Sequence, residues 1–233
     1  CYKDLIKKID NISPRGIHNS KPALVSITQS SELGTVYNLD EIRKIAEITH
    51  ENNMFLHMDG ARIANAVVYL DCTFADITWK SGVDILSFGA TKNGAFCAEA
   101  IIYFNNYLSE NIEYYRKRGG HLISKMRFIS AQLNSYIETG IWEKNARHAN
   151  DMASFLSESL KSIKGVKVVY PVQSNAVFVN LSDEVVKRLF NQGFNFSFWG
   201  DKSERIYRIM ISFNTPRESI IDLVQAIKKE SKG

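Results

Sequence analysis

Two short stretches carry side chains capable of joint chemistry. In "VDILSFGATKNGAFCAEA", residues 83–100, an apolar run ends in small residues grouped around Lys92. Val83, Ile85, Leu86 and Phe88 read as a buried strand, and Gly89, Ala90, Thr91 and Gly94 as a loop that lets another group approach the backbone closely. In "HMDGAR", residues 57–62, Asp59 stands at the carboxyl end of a strand, Gly60 and Ala61 keep the next turn uncluttered, and Arg62 opens a helix. Ligands of parallel α/β sheets bind outside the carboxyl ends of the strands, so Asp59 and Lys92 are expected to project into one crevice.

The chemistry follows from the residue types. A lysine held in a partly desolvated pocket becomes a usable amine nucleophile for Schiff-base formation. A carboxylate facing a pyridine nitrogen keeps that nitrogen protonated and makes the ring an electron sink. Lys and Asp together are what pyridoxal phosphate requires, and an arginine supplies the planar fork that grips an amino-acid carboxylate. Arg62, and Arg208 in "YRIMISF", are the candidates for that grip.

Plainer readings compete with each of these. A lysine after a strand is commonly a solvated loop residue, and an aspartate before glycine is commonly a turn former or a helix cap. "GATKNG" lacks the glycine order and the Lys-Ser/Thr pair of a phosphate-cradling P-loop. His57 should share a strand face with Asp59, either as a satisfied structural histidine or as a catalytic one. His121 and His148 fall in helical sequence and read as packing or surface residues, and the aromatics around Phe128, Tyr136 and Trp142 read as core.

The elements that must position these groups alternate along the first half of the chain. After the break "NISPRGIHNSKP" come strand "ALVSIT", helix "LDEIRKIAEITHENN", strand "MFLHMD", a helical stretch from 61 to 70, strand "VDILSF" and strand "EAIIYF". Such alternation predicts parallel strands with helical crossovers. Helical sequence then dominates, with one apolar stripe through Leu122, Met126, Ile129, Leu133 and Tyr136, a break at Gly140, and a second stripe from Trp142 to Leu160. The remainder, "VKVVYPV", "NAVFVNL", "DEVVKRLFNQG", "FNFSFW", "RIYRIMISF" and a last helix from Pro216, reads as a small sheet with helices. The expected division is 1–120 as part of a large cofactor-binding domain, 121–163 as connecting helices, and 164–233 as a small C-terminal domain.

Bulk properties bound the reading. The chain has 233 residues, 45% of them hydrophobic and 23% charged, which suits a globular protein with a sizeable core. Its net charge of +4 arises from 29 basic and 25 acidic residues without a basic run of the kind that tracks phosphates, so nucleic acid is not an expected partner. Cys1, Cys72 and Cys97 lack metal-ligand spacing and suit a reducing cytoplasm. No apolar run approaches the roughly 20 residues that cross a bilayer. The opening "CYKDLIKKID" is already in helical spacing at Tyr2, Leu5, Ile6 and Ile9, as if it began mid-protein.

In order, "ITQSSELGTVYNLDEI", "LHMDGARIANA", "DILSFGATKNGAFCAEAIIYF" and "RKRGGHLISKMRF" resemble the low-specificity threonine aldolase branch of the β-eliminating lyase family. The resemblance runs from about residue 23 to 215 and implies an α/β, aspartate-aminotransferase-like fold type I, with a mainly parallel large-domain sheet and a small C-terminal α/β domain. It makes Lys92 the lysine bound to pyridoxal phosphate, Asp59 the partner of its ring nitrogen, and Arg62 and Arg208 the holders of the substrate carboxylate. Arg62 would also lie near the cofactor, and Thr91 near its phosphate; Lys125 and Arg127 would lie towards the entrance. The implied reaction cleaves threonine or a related β-hydroxy-α-amino acid to glycine and an aldehyde, with His57, Glu32 or a residue outside this chain taking the hydroxyl proton. A homodimer or homotetramer is expected. The resemblance places the phosphate-binding helix start and the aromatic stacked on the ring in a further amino-terminal segment, so the chain is expected to be a fragment, to be completed by a second chain, or to have lost activity. Other pyridoxal-phosphate chemistry, β-elimination or transamination, and a noncatalytic remnant of the fold are the alternatives.

Overall fold

The computed structural model describes residues 2–12, 18 and 20–231. Much of the break "NISPRGIHNSKP" lies outside the described residues, as does Cys1. A first helix, α1 (Tyr2–Ile12), precedes the first sheet, formed by β1 (Leu24–Thr28), β2 (Phe55–Gly60), β3 (Ile85–Gly89) and β4 (Glu99–Tyr103) in that spatial order. β1, β2 and β3 are parallel, as the alternation predicts, because α2 (Leu39–Glu51) and then α3 (Ile63–Leu70) with α4 (Phe74–Ile77) make the crossovers. β4 is antiparallel to β3. Residues 90–98 between them are fewer than the roughly one dozen that a parallel crossover needs.

Local chemistry sets these elements. Asn38 caps α2 by accepting from the Glu41 N–H at 2.9 Å while Glu41 Oε2 accepts from the Asn38 N–H, also at 2.9 Å, a reciprocal capping box. Along β2, Leu56, Met58 and Gly60 are buried and Phe55, His57 and Asp59 are half-buried. The period of two turns Leu56 and Met58 into a core with Leu86, Phe88, Ile42 and Val67, and leaves His57 and Asp59 on the other face.

Three helices lead onward: α5 (Ile112–Arg118), α6 (Arg127–Glu138) and the long α7 (Ile141–Leu160). The second sheet comprises β5 (Lys167–Val168), β6 (Ala176–Asn180), β7 (Ser197–Trp199) and β8 (Ile206–Met210) in the order β5-β6-β8-β7, all antiparallel, with α8 (Asp183–Asn191) and α9 (Arg217–Glu230). Met152, Leu156 and Leu160 of α7 share its core with Val177, Ile209 and Ile227. Gly140, at φ +68°, makes the left-handed turn between α6 and α7.

The first helical stripe is shorter than its apolar spacing predicts. α6 starts at Arg127, and Leu122 is 53% exposed in a non-helical segment that follows Gly119 and Gly120, the latter at φ +75°. The glycine pair ends α5, so the spacing from Leu122 to Met126 is a coincidence of sequence rather than one helix face. His121 likewise lies outside a helix. Phe128, expected in the core, is 63% exposed, whereas Tyr136 on the same helix is 3% exposed.

Where β3 ends, a Cβ on Gly89 would stand 2.7 Å from Ala61 Cα and 2.9 Å from Glu99 Oε2. Backbone cannot move aside as a flexible side chain can, so Gly89→Ala is expected to cost about 1–3 kcal/mol through overpacking. A thermal melt indistinguishable from wild type would show that the strand exits are not so tightly packed.

Candidate active site

Parallel β2 and β3 end side by side, with Asp59 in register with Thr28 on β1 and with Ser87 on β3. Asp59 closes its own turn, because Oδ1 accepts from the Ala61 N–H at 2.9 Å. Oδ2 takes no hydrogen bond from the described residues. One turn beyond β3, Lys92 sits in the 3-10 turn Thr91–Asn93 and is exposed, with no hydrogen bond or ion pair among the described residues. Lys92 is therefore more exposed than the small residues around it suggest: Gly89 and Ala90 are buried, while Lys92 in the turn that follows is not.

His57 lies on the face of β2 that carries Asp59. Its Nδ1 is 2.8 Å from Ser26 Oγ on β1, and its Nε2 is 2.9 Å from Ser87 Oγ on β3. Both ring nitrogens are thus engaged, and the imidazole braces three strands. Thr91 is also occupied: its Oγ1 accepts from the Ala98 N–H at 3.1 Å, and its N–H donates to Glu99 Oε1 at 3.3 Å.

Arg62 follows β2 and precedes α3, whereas Arg208 projects from β8 of the other sheet. The two guanidiniums are close enough to act on each other. Burial first, and then the charge of Arg208, holds the Arg62 guanidinium below its ordinary pKa, while Glu32 and Asp59 pull in the opposite direction. Arg208 stacks over the Trp199 ring, its Cζ 4.9 Å from the centroid, and its Nε is buried without a hydrogen-bond partner. Buried donors are normally satisfied, so this one has capacity reserved for an acceptor. Ser30 Oγ, in the loop leaving β1, is likewise buried and unpartnered.

The arrangement brings Asp59, Arg62 and Arg208 within one field, with Lys92 at the end of the strand next to that of Asp59. Lys125 and Arg127 stand apart from these groups in the interactions described.

Sequence reasoning passed over two amides near Lys92, Asn93 buried and Asn145 half-buried. Asn93, 3% exposed, donates through Nδ2 to Tyr136 Oη at 2.6 Å and to the Trp142 carbonyl at 2.8 Å. Asn145 Nδ2 donates to the Asn93 carbonyl at 2.9 Å. Only the apolar spacing of Tyr136 hinted at its burial, and nothing in the sequence indicates its partner. Burial pushes the Tyr136 hydroxyl up to about 12, against the opposing effect of the Asn93 hydrogen bond. The ordinary value is 10.0, so above that pH the unfolded chain releases this proton before the folded one does. The associated stability is intact below pH 10 and lost as the pH approaches 12. Melting temperatures measured across this window should fall more steeply for wild type than for Tyr136→Phe, and parallel slopes would contradict the assignment.

Comparison with known proteins bears on the family and the fold. Residues 3–184 match the family model described as Beta-eliminating lyase. The chain is 42% identical over 213 residues to a protein of a Pseudomonas species named low specificity L-threonine aldolase, covering 91% of this chain and 61% of that protein. Identity to the Pseudomonas aeruginosa protein of the same name is 40% over the same shares. Among solved structures, that of Leishmania major threonine aldolase superposes with a TM-score of 0.89 at 26% identity, covering 98% of this chain and 66% of that one. The architecture is that of the aspartate-aminotransferase-like fold type I. The chain spans about three-fifths of the length of the curated relatives it matches.

Proposed function

The chain belongs to the β-eliminating lyase family, and we propose that it forms part of a pyridoxal-phosphate-dependent aldehyde-lyase that cleaves threonine or related β-hydroxy-α-amino acids to glycine and an aldehyde. The observation that carries the reading is the pair Arg62 and Arg208, two cations held in each other's field with a buried, unpartnered Nε on Arg208. Such a pair suits an amino-acid carboxylate. The names of the relatives at 40 and 42% identity support the reaction.

The residues present fit the cofactor. Among the described residues Lys92 offers an amine without partners and Asp59 a carboxylate oxygen free to face a ring nitrogen, and Thr91, beside Lys92, would lie towards the phosphate. When bound, pyridoxal phosphate supplies an electron-withdrawing ring that accepts the electron pair released at Cα. Asp59 would hold the proton at the ring nitrogen. Arg62 and Arg208 would orient the substrate through its carboxylate, and Lys92 would hold the cofactor between turnovers. For the β-hydroxyl proton, Glu32 is the better placed of the two candidates in this chain. It lies within the field of Arg62, whereas His57 already engages Ser26 and Ser87 with both nitrogens. His57 then acts at one remove, bracing the strand that presents Asp59.

A homodimer or homotetramer working in the cytoplasm completes the proposal. Phe96, 91% exposed beside the Lys92 turn, Ile101 at 61% and Phe128 at 63% are large apolar side chains that assembly would cover, which supports this part of the reading. The described cysteines Cys72 and Cys97 are unpaired, which suits a reducing compartment. Among the described residues, no helix is long and apolar enough to cross a membrane.

Two measurements test the reading in the full-length protein. Added pyridoxal phosphate should give an absorbance band near the visible edge that Lys92→Ala lacks, and threonine should yield glycine and acetaldehyde. Ammonia with a keto acid, or a second amino acid, would instead assign elimination or transamination, and no band with no rise in melting temperature would indicate a remnant. Arg208→Met should raise KM for threonine about 10- to 100-fold, the equivalent of the roughly 1.5–3 kcal/mol of a hydrogen bond to a charged group. An unchanged KM would remove Arg208 from the carboxylate site.

A further inference from the structure

Lys92 has no partner among the described residues, yet the backbone on both sides of it is held by side chains. Before it, Thr91 is fastened to Ala98 and Glu99. After it, Asn93 uses both hydrogens of its amide on Tyr136 Oη and the Trp142 carbonyl, and its own carbonyl accepts from Asn145. Asn145 also fills the space before Gly94, at φ +116°, where a Cβ would stand 2.5 Å from Nδ2. Backbone bonds from the Asn93 and Ala95 N–H groups to the Ala90 carbonyl already close the turn. The two amides therefore add direction rather than closure.

Trp142 and Asn145 belong to the start of α7, and the same helix reaches the supports of the two arginines. Asn150 exchanges hydrogen bonds with Asn65 of α3: Asn65 Nδ2 donates to Asn150 Oδ1 at 3.0 Å, and Asn150 Nδ2 donates to the Asn65 carbonyl at 2.9 Å. Arg62 immediately precedes α3, and its carbonyl accepts from the Asn65 N–H at 3.1 Å. Further along, Met152 and Leu156 pack with Ile209, the neighbour of Arg208 on β8.

We propose that α7 is the common mount of the site and that Asn145 and Asn150 are positioning residues with separable effects. Asn145, through Asn93, aims Lys92; Asn150, through Asn65, holds Arg62 opposite Arg208. The inference rests on the cofactor and substrate reading above. Misplacing a reacting group by about 1 Å costs up to about a hundredfold in rate, so the two amides should be visible in different kinetic quantities.

The test uses the full-length protein with pyridoxal phosphate and borohydride, reading the rate of trapping on Lys92 by peptide mass alongside kcat and KM for threonine. Asn145→Asp sets a carboxylate oxygen against the Asn93 carbonyl and should slow trapping and kcat about 10- to 100-fold with little change in KM. Asn150→Asp removes the donor to the Asn65 carbonyl and should raise KM while trapping stays at the wild-type rate. If Asn145→Asp does not fold, Tyr136→Phe, which removes an acceptor from Asn93, should slow trapping in its place. Wild-type trapping rates in the variant read, or KM and trapping moving together in both helix variants, overturn the proposal. Absence of trapping on Lys92 in the wild-type protein sinks the cofactor reading and this inference with it. Normal wild-type trapping with an unaffected variant sinks the inference alone.

Discussion

Two like charges brought together set the terms for the rest of this structure. Arg62 and Arg208 come from different sheets and lie far apart in sequence, and neither makes an ion pair among the described residues. Burial first, and then the charge of Arg208, disfavours the charged Arg62 guanidinium, while Glu32 and Asp59 favour it, and the apolar cores beneath each sheet offset the net cost. Trp199 meets part of the cost by offering its ring face to Arg208.

The strand β2 shows how one local pattern serves two masters. Leu56 and Met58 hold it in the core, and the alternate residues His57 and Asp59 are thereby forced onto the opposite face. A slip of one residue would bury both polar groups and expose the apolar pair, so the register that stabilises the sheet is the register that presents the carboxylate. His57 strengthens this arrangement because a ring with two polar nitrogens can span from Ser26 to Ser87 across the strand between them. Bracing of this kind needs no charge on the ring, since a hydroxyl can donate to one nitrogen and accept from the other.

What was legible in the sequence is what is local. Strand and helix positions followed from apolar period and from glycine and proline breaks, and Asp59, Arg62 and Lys92 were marked by small neighbours at strand ends. Arg208 could be named as a candidate from its chemistry, but its approach to Arg62 was not legible, because that depends on how two sheets dock. The antiparallel β4 was a matter of loop length, and the shortened α6 a matter of two glycines outvoting an apolar spacing. Asn93, Tyr136, Trp142 and Asn145 were out of reach for a different reason. Their partners are separated by dozens of residues, and no periodicity singles out a buried amide from the many asparagines of an ordinary surface.

Where the molecule leaves polar atoms unsatisfied is also informative. Among the described residues the buried side-chain atoms without partners are Ser30 Oγ, Asn175 Oδ1 and Arg208 Nε. All three fall along the seam between the sheets. Ser30 leaves β1 just before the Ser31–Gly34 turn, and that turn is joined to the second sheet by the Ser174 hydroxyl, which donates to the Gly34 carbonyl at 2.9 Å. Asn175 adjoins Ser174 and donates its amide to the Ile211 carbonyl, beyond the end of the strand that carries Arg208. Folding has thus satisfied the buried side chains within each core and concentrated the remainder at one boundary. Each such atom left dry and unpaired would cost about 1–3 kcal/mol, so the seam is where the polar side chains of the two sheets are least satisfied by the described residues.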